Sequence, residues 1–184
     1  ERWAESQRDW VEAQLADLPA PRPIVPGGTL PYRGTDLRID HAPEHPRKPA
    51  LSGDSIRVGG PQDAMSARLV RWLKDKARQT LTEESARYAL AAGVTIGRIS
   101  IGDARSRWGS CASSGNIRYS WRLIMAPQEV LSATVAHEVA HRVHMHHGPD
   151  FLAVVSDLFG REPKAERRWL RDHGAALYWV GTSS

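Results

Sequence analysis

Two histidines four residues apart flank a glutamate in His137-Glu138-Val139-Ala140-His141. On a helix, positions i and i+4 lie on one face, so both imidazoles can grip one metal ion. Glu138 stands beside the first ring, close enough to act on a reactant without ligating the ion. This His-Glu-x-x-His spacing is the one used by zinc hydrolases, where the glutamate serves as general base. Five of the eight histidines fall between positions 137 and 147, which concentrates the ligand chemistry in one stretch.

A catalytic zinc site needs three protein ligands and an open position. His144 shares a helix face with His137 but sits a rise of ~10 Å along the axis, too far for both rings to meet one ion. His147 is six residues past His141, and on an unbroken helix it points ~120° away. A helix that stops near Met145, with Gly148-Pro149 turning the chain, returns His147 to the ion. His147 is therefore the expected third ligand. His146 beside it, and Glu162 and Glu166 further on, are the alternatives. A metal at His137, His141 and His147 would acidify a water. Glu138 would take its proton and hand it to a leaving amine, which is peptide-bond hydrolysis. His144, His146, Tyr119 and Arg122 are candidate oxyanion donors, and Asp150 is a candidate partner for a histidine N–H.

The elements that must position these groups are readable from periodicity. Leu131, Val135, Val139 and Val143, with Ala136 and Ala140, give an apolar face at helical spacing. Pro127-Gln128-Glu129 reads as the helix opening. Residues 150–159 and 164–176 read as two further helices. Residues 61–92 form a long helical stretch with a possible restart at Thr80 or Thr82, and Gly93 stops it. Residues 28–60 read as an antiparallel meander of short strands. Val94–Asp103 and Ile117–Met125 alternate as strands around a polar loop, Arg105–Asn116. At the N-terminus, residues 3–18 read as an amphipathic helix, and Pro19, Pro21, Pro23 and Pro26 make an extended connector. The expected division is residues 1–27 as helix and connector and residues 28–184 as the catalytic unit. His41 and His45 sit in a Pro-rich loop and read as surface residues.

The chain of 184 residues carries a net charge of +4 and one cysteine, Cys111. A single cysteine excludes an internal disulfide and fits a reducing compartment, so a cytoplasmic protein is expected. No apolar run approaches a membrane span, and the first residues lack a signal-peptide core. The basic excess lies after residue 60 and peaks at Arg98, Arg105, Arg107, Arg118 and Arg122, opposed only by Asp103. Those arginines make a nucleotide, another phosphorylated molecule or nucleic acid the alternative partner to a peptide or protein substrate.

Arg107-Trp108-Gly109-Ser110-Cys111, then Gly115-Asn116-Ile117, Leu123, Pro127 and the histidine motif through His147, resembles the YgjP-like metallopeptidase family. His147-Gly148-Pro149-Asp150-Phe151 is also similar to SprT-like metalloproteases. The likeness runs over roughly residues 30–177. It implies an α+β, zincin-like fold, with a small, mostly antiparallel sheet packed on helices that include the one bearing the motif. It implies zinc held by His137, His141 and His147, with Glu138 as catalytic acid and base. The competing readings are a metal-dependent hydrolase of nucleotides or other phosphorylated substrates, and a DNA-associated protease. A structural zinc site ranks last, because such sites close with four protein ligands, often cysteines.

Overall fold

A computed structural model describes residues 20–182. The expected helix over residues 3–18 lies outside the described residues. Among the described residues the chain is α+β, with two small mixed sheets and four helices. The first sheet holds β1 (Thr29–Tyr32), β2 (Thr35–His41), β3 (Ala50–Ser52) and β4 (Ser55–Val58) in the order β1-β2-β4-β3. Arg33 and Gly34 both take positive φ, 49° and 81°, in the two-residue turn between β1 and β2. That is the turn geometry whose twist matches a hairpin. Their N–H groups donate to the carbonyls of Ile124 and Met125, tying this hairpin to the chain just before the motif helix.

The expected all-antiparallel meander is corrected here: β2 and β4 run parallel, and only β3 and β4 form the second hairpin. The Pro-rich crossing of residues 42–49 is long enough to carry the chain past β4's place. Burial decides which strand sits inside. Ile56 and Val58 of β4 are fully buried, whereas Ala50 and Leu51 of β3 are exposed, so β3 takes the edge.

Helix α1, Met65–Ala92, runs unbroken through Thr80 and Thr82, and Gly93 closes it in the left-handed conformation. There is no restart, because Thr80 accepts a hydrogen bond from Arg33 and faces the interior, as do Leu81 and Ser85. The second sheet is β5 (Ile99–Gly102), β6 (Gly109–Cys111) and β7 (Ile117–Ser120), ordered β5-β7-β6. β7 is parallel to β5 and antiparallel to β6. The strand expected to reach Met125 ends at Ser120. There the Ser120 hydroxyl accepts from the Arg122 N–H and opens a buried 3₁₀ turn, Trp121–Met125. Two mixed sheets thus replace the single, mostly antiparallel sheet expected.

Helices α2 (Gln128–Ala140), α3 (Pro149–Phe159) and α4 (Lys164–Leu177) follow. Leu69, Leu73 and Leu81 of α1 share one core with Leu123, Ile124, Val135 and Val139, all at most 1% exposed. That core fixes α2 from behind.

Arg122 does not belong to an open basic surface. It is buried and bonds Asp103 through two nitrogens, at 2.6 and 3.1 Å, and it donates to the carbonyls of Leu177 and Val180. Its charge is committed to pinning the C-terminal segment, and the parallel bridge between Arg22 and Val180 joins the same seam. Arg98, Arg105, Arg107 and Arg118 are exposed. No helix among the described residues is long and apolar enough to cross a membrane.

Candidate metal centre

α2 presents His137 and Glu138 in its last turn, and His141 is its C-terminal cap. The helix ends at Ala140, five residues before the expected break at Met145. Arg142 N–H bonds the Val139 carbonyl, and the N–H groups of Val143 and His144 both bond the Ala140 carbonyl. The tightened turn satisfies the helix's last carbonyls and reverses the chain. Gly148 then adopts an extended conformation, and Pro149 opens α3. Between these two helix ends His147 comes back over the face of α2.

His137, His141 and His147 therefore converge, each offering one ring nitrogen, with those atoms all within 4.8 Å of one another. The Nε2 atoms of His137 and His147 lie 3.1 Å apart. Two nitrogens each ~2.05 Å from a tetrahedral zinc would be ~3.3 Å apart, so the spacing suits a shared ion. Burial pushes the His137 imidazole down to about 4, helped by the neighbouring His141, His147 and Arg167 charges. Burial also lowers His141, against a hydrogen bond to the His144 carbonyl. Neutral rings at neutral pH are the form that binds metal.

His141 Nδ1 meets the His144 carbonyl at 3.3 Å, which holds the proton on Nδ1 and leaves Nε2 free to bind a metal. That main-chain oxygen, and not Asp150, orients the ring. Beneath the triad lies Phe151, fully buried, with its ring centroid 4.6–4.9 Å from all three imidazoles. Phe151→Ala is expected to cost about 3–5 kcal/mol of stability, because it opens a cavity below the rings. It should weaken metal binding as well. Urea unfolding midpoints and a zinc titration check both.

Glu138 is 5% exposed and lines the same cleft as the three histidines. Burial pushes its carboxyl up to about 7, against the opposing field of Arg107. Across from it lies Gly109 on β6, where a Cβ would sit 2.5 Å from the Glu138 carboxylate. Bare backbone is required there. Gly109 is a residue the motif did not point to, although a glycine in a strand does signal close approach.

The other sequence candidates are deployed elsewhere. The Tyr119 hydroxyl is buried against Ser85, and Arg122 is held as above, so neither can reach an oxyanion. Glu166 is paired with Arg161, and Glu162 with Lys164 and Arg167, leaving both outside the triad. His146 is exposed, and His41 bonds the Gly60 carbonyl in the other sheet. Burial raises the Cys111 thiol, contrary to what a nucleophilic cysteine requires. Trp108 packs on Tyr178, with ring centroids 5.2 Å apart, and closes over Gly174 of α4.

Beside His137 and Glu138 a cavity of about 220 Å³ opens between α2 and α4, walled by Trp108, Val130, Ala133 and Leu170. A buried carboxylate, three convergent imidazoles and an adjoining apolar cavity are together what a metal-assisted hydrolase needs.

No curated protein matches the chain, and no solved structure matches it. A family model described as YgjP-like, metallopeptidase domain, matches residues 1–173. The histidine triad could hold a metal ion, and the match extends over nearly the whole sequence: the chain belongs to the YgjP-like metallopeptidase family.

Proposed function

We propose that this chain is a zinc-dependent peptidase with a zincin-like catalytic unit spanning residues 28–184. Its ligands are His137, His141 and His147, and its acid and base is Glu138. The observation that carries the reading is an open set of three convergent imidazoles beside a buried carboxylate. Three protein ligands leave a position for a reactant, which is the arrangement of catalytic sites and not of closed structural ones.

Bound there, zinc would polarise the scissile carbonyl and acidify the attacking water. The chain's own groups do the rest. The His144 carbonyl holds His141 in one tautomer, and Phe151 keeps the three rings at fixed separation. Glu138 takes a proton from the attacking water and delivers it to the leaving nitrogen. Gly109 lets β6 lie close to that carboxylate, so the free edge of β6 offers main-chain groups to an extended substrate. The cavity between α2 and α4 accepts an apolar side chain next to the bond cleaved. The single cysteine supports a cytoplasmic setting.

Exposed Arg98, Arg105, Arg107 and Arg118 favour the competing reading, a hydrolase of nucleotides or a protease acting on DNA-bound protein. One assay separates these. The zinc-loaded chain is expected to cleave casein and unstructured peptides, to lose that activity to a chelator and to regain it with zinc. Chelator-sensitive cleavage of nucleoside triphosphates with no peptide cleavage would overturn the peptidase reading.

A further inference from the structure

The metal cleft continues into a second concavity along β6. It encloses about 340 Å³ and is lined by Ser106, Arg107, Ser110, Arg118 and Ser120. Ser106, Arg107 and Ser110 also line the cleft that holds the histidine triad, so the two spaces share one wall. Ser110 pairs with Arg118 across β6 and β7, which sets both side chains on one face of the sheet. On Arg118's other flank β5 carries Gly102, where a Cβ would lie 2.5 Å from the Arg118 guanidinium. The guanidinium thus rests over the bare backbone of Gly102.

Neither Arg107 nor Arg118 has an ion-pair partner among the described residues. No carboxylate lines the concavity, and the nearby Asp103 is held by Arg122. Two guanidinium groups without an ion pair, beside the hydroxyls of Ser106 and Ser110, suit a small anion, and the planar fork of arginine matches a carboxylate through two parallel bonds.

We propose that this concavity is a subsite for an acidic side chain of the substrate, an Asp or Glu within about three residues of the bond cleaved. The estimate of reach follows from the shared wall and a rise of ~3.3 Å per extended residue. The proposal rests on the peptidase reading and names the substrate class it serves.

The test uses the zinc-loaded full chain and fluorophore-labelled decapeptides of Ala and Gly with one Leu. A single Glu, or its neutral isostere Gln, is moved through the other positions. At one or two positions Glu is expected to raise kcat/KM over Gln about tenfold or more. The double variant Arg107→Gln, Arg118→Gln should bring that ratio near one, and Arg118→Lys, which keeps the charge and loses the fork, should lower it partway. Arg71→Gln, a cation of α1 outside the cleft, should leave the ratio as in the parent. Should the double variant fail to fold, Arg118→Lys carries the comparison.

Anisotropy binding of the same peptides to the zinc-loaded Glu138→Gln chain keeps the two readings apart. An Arg118-dependent preference for Glu in binding, with no cleavage of any peptide by the parent, retains the subsite and sinks the peptidase. A Glu:Gln ratio near one in both readouts overturns the subsite, as does a ratio that the arginine variants preserve. A phosphoserine peptide bound more than tenfold tighter than the Glu peptide overturns the carboxylate assignment.

Discussion

Glu138→Gln is expected to lower kcat for peptide cleavage by about 10²–10⁴-fold while zinc stays bound. The substitution changes one atom of a side chain that is 5% exposed, so packing is nearly conserved. It also removes the need to ionise a carboxyl that burial has pushed up to about 7. The fold therefore has no reason to weaken. Zinc content should be unchanged, because Glu138 is not among the three converging ligand groups. What would disappear is the proton acceptor proposed for the cleft. Metal analysis alongside steady-state kinetics checks both halves. A loss below about threefold would remove Glu138 from the chemistry, since a positioned base contributes more than that.

His147→Ala is expected to lower zinc affinity by more than the 10–100-fold seen when a partner outside the ligand set is removed. His147 is exposed and belongs to no helix, so its loss leaves the core untouched. Its ring is nevertheless one of the three that converge, 3.1 Å from His137 between their Nε2 atoms. His146→Ala is the matched control, one residue away, exposed and outside the triad. Its zinc affinity should stay within about twofold of the parent. Competition titration with a chromophoric chelator reads both variants. Equal losses in the two would point to general disorder of the loop, and a loss in His146→Ala alone would exchange the ligand.

Local periodicity made α2 legible, because Leu131, Val135 and Val139 all face the core at helical spacing. The same rule extended the helix too far. Val143 fits the apolar period, yet it is 42% exposed and lies beyond the helix end. The break is set by the N–H groups of residues 142–144 folding back on Val139 and Ala140, which no residue type there announces. The visible signal, Gly148-Pro149, marks the start of α3 instead.

Long-range partners were equally hidden. Arg122 looked like part of a basic patch, and its real partners, Asp103 and the carbonyls of Leu177 and Val180, lie far along the chain. Gly109 against Glu138 and Phe151 beneath the rings are tertiary contacts of the same kind. The crossing that puts β4 inside its sheet depends on which strand brings the more deeply buried residues, Ile56 and Val58, and alternation alone does not tell a meander from that order. The convergence of His137, His141 and His147 was within reach because they sit within eleven residues, where chain geometry is short enough to reason through.

Zinc K-edge X-ray absorption on the zinc-loaded chain tests the three-histidine centre directly. Three imidazole nitrogens at ~2.0–2.1 Å and one further oxygen at ~2.0–2.2 Å, with no sulfur, are expected. His147→Ala should lose one imidazole from that set. A sulfur shell at ~2.3 Å, or four protein ligands closing the site, would contradict it.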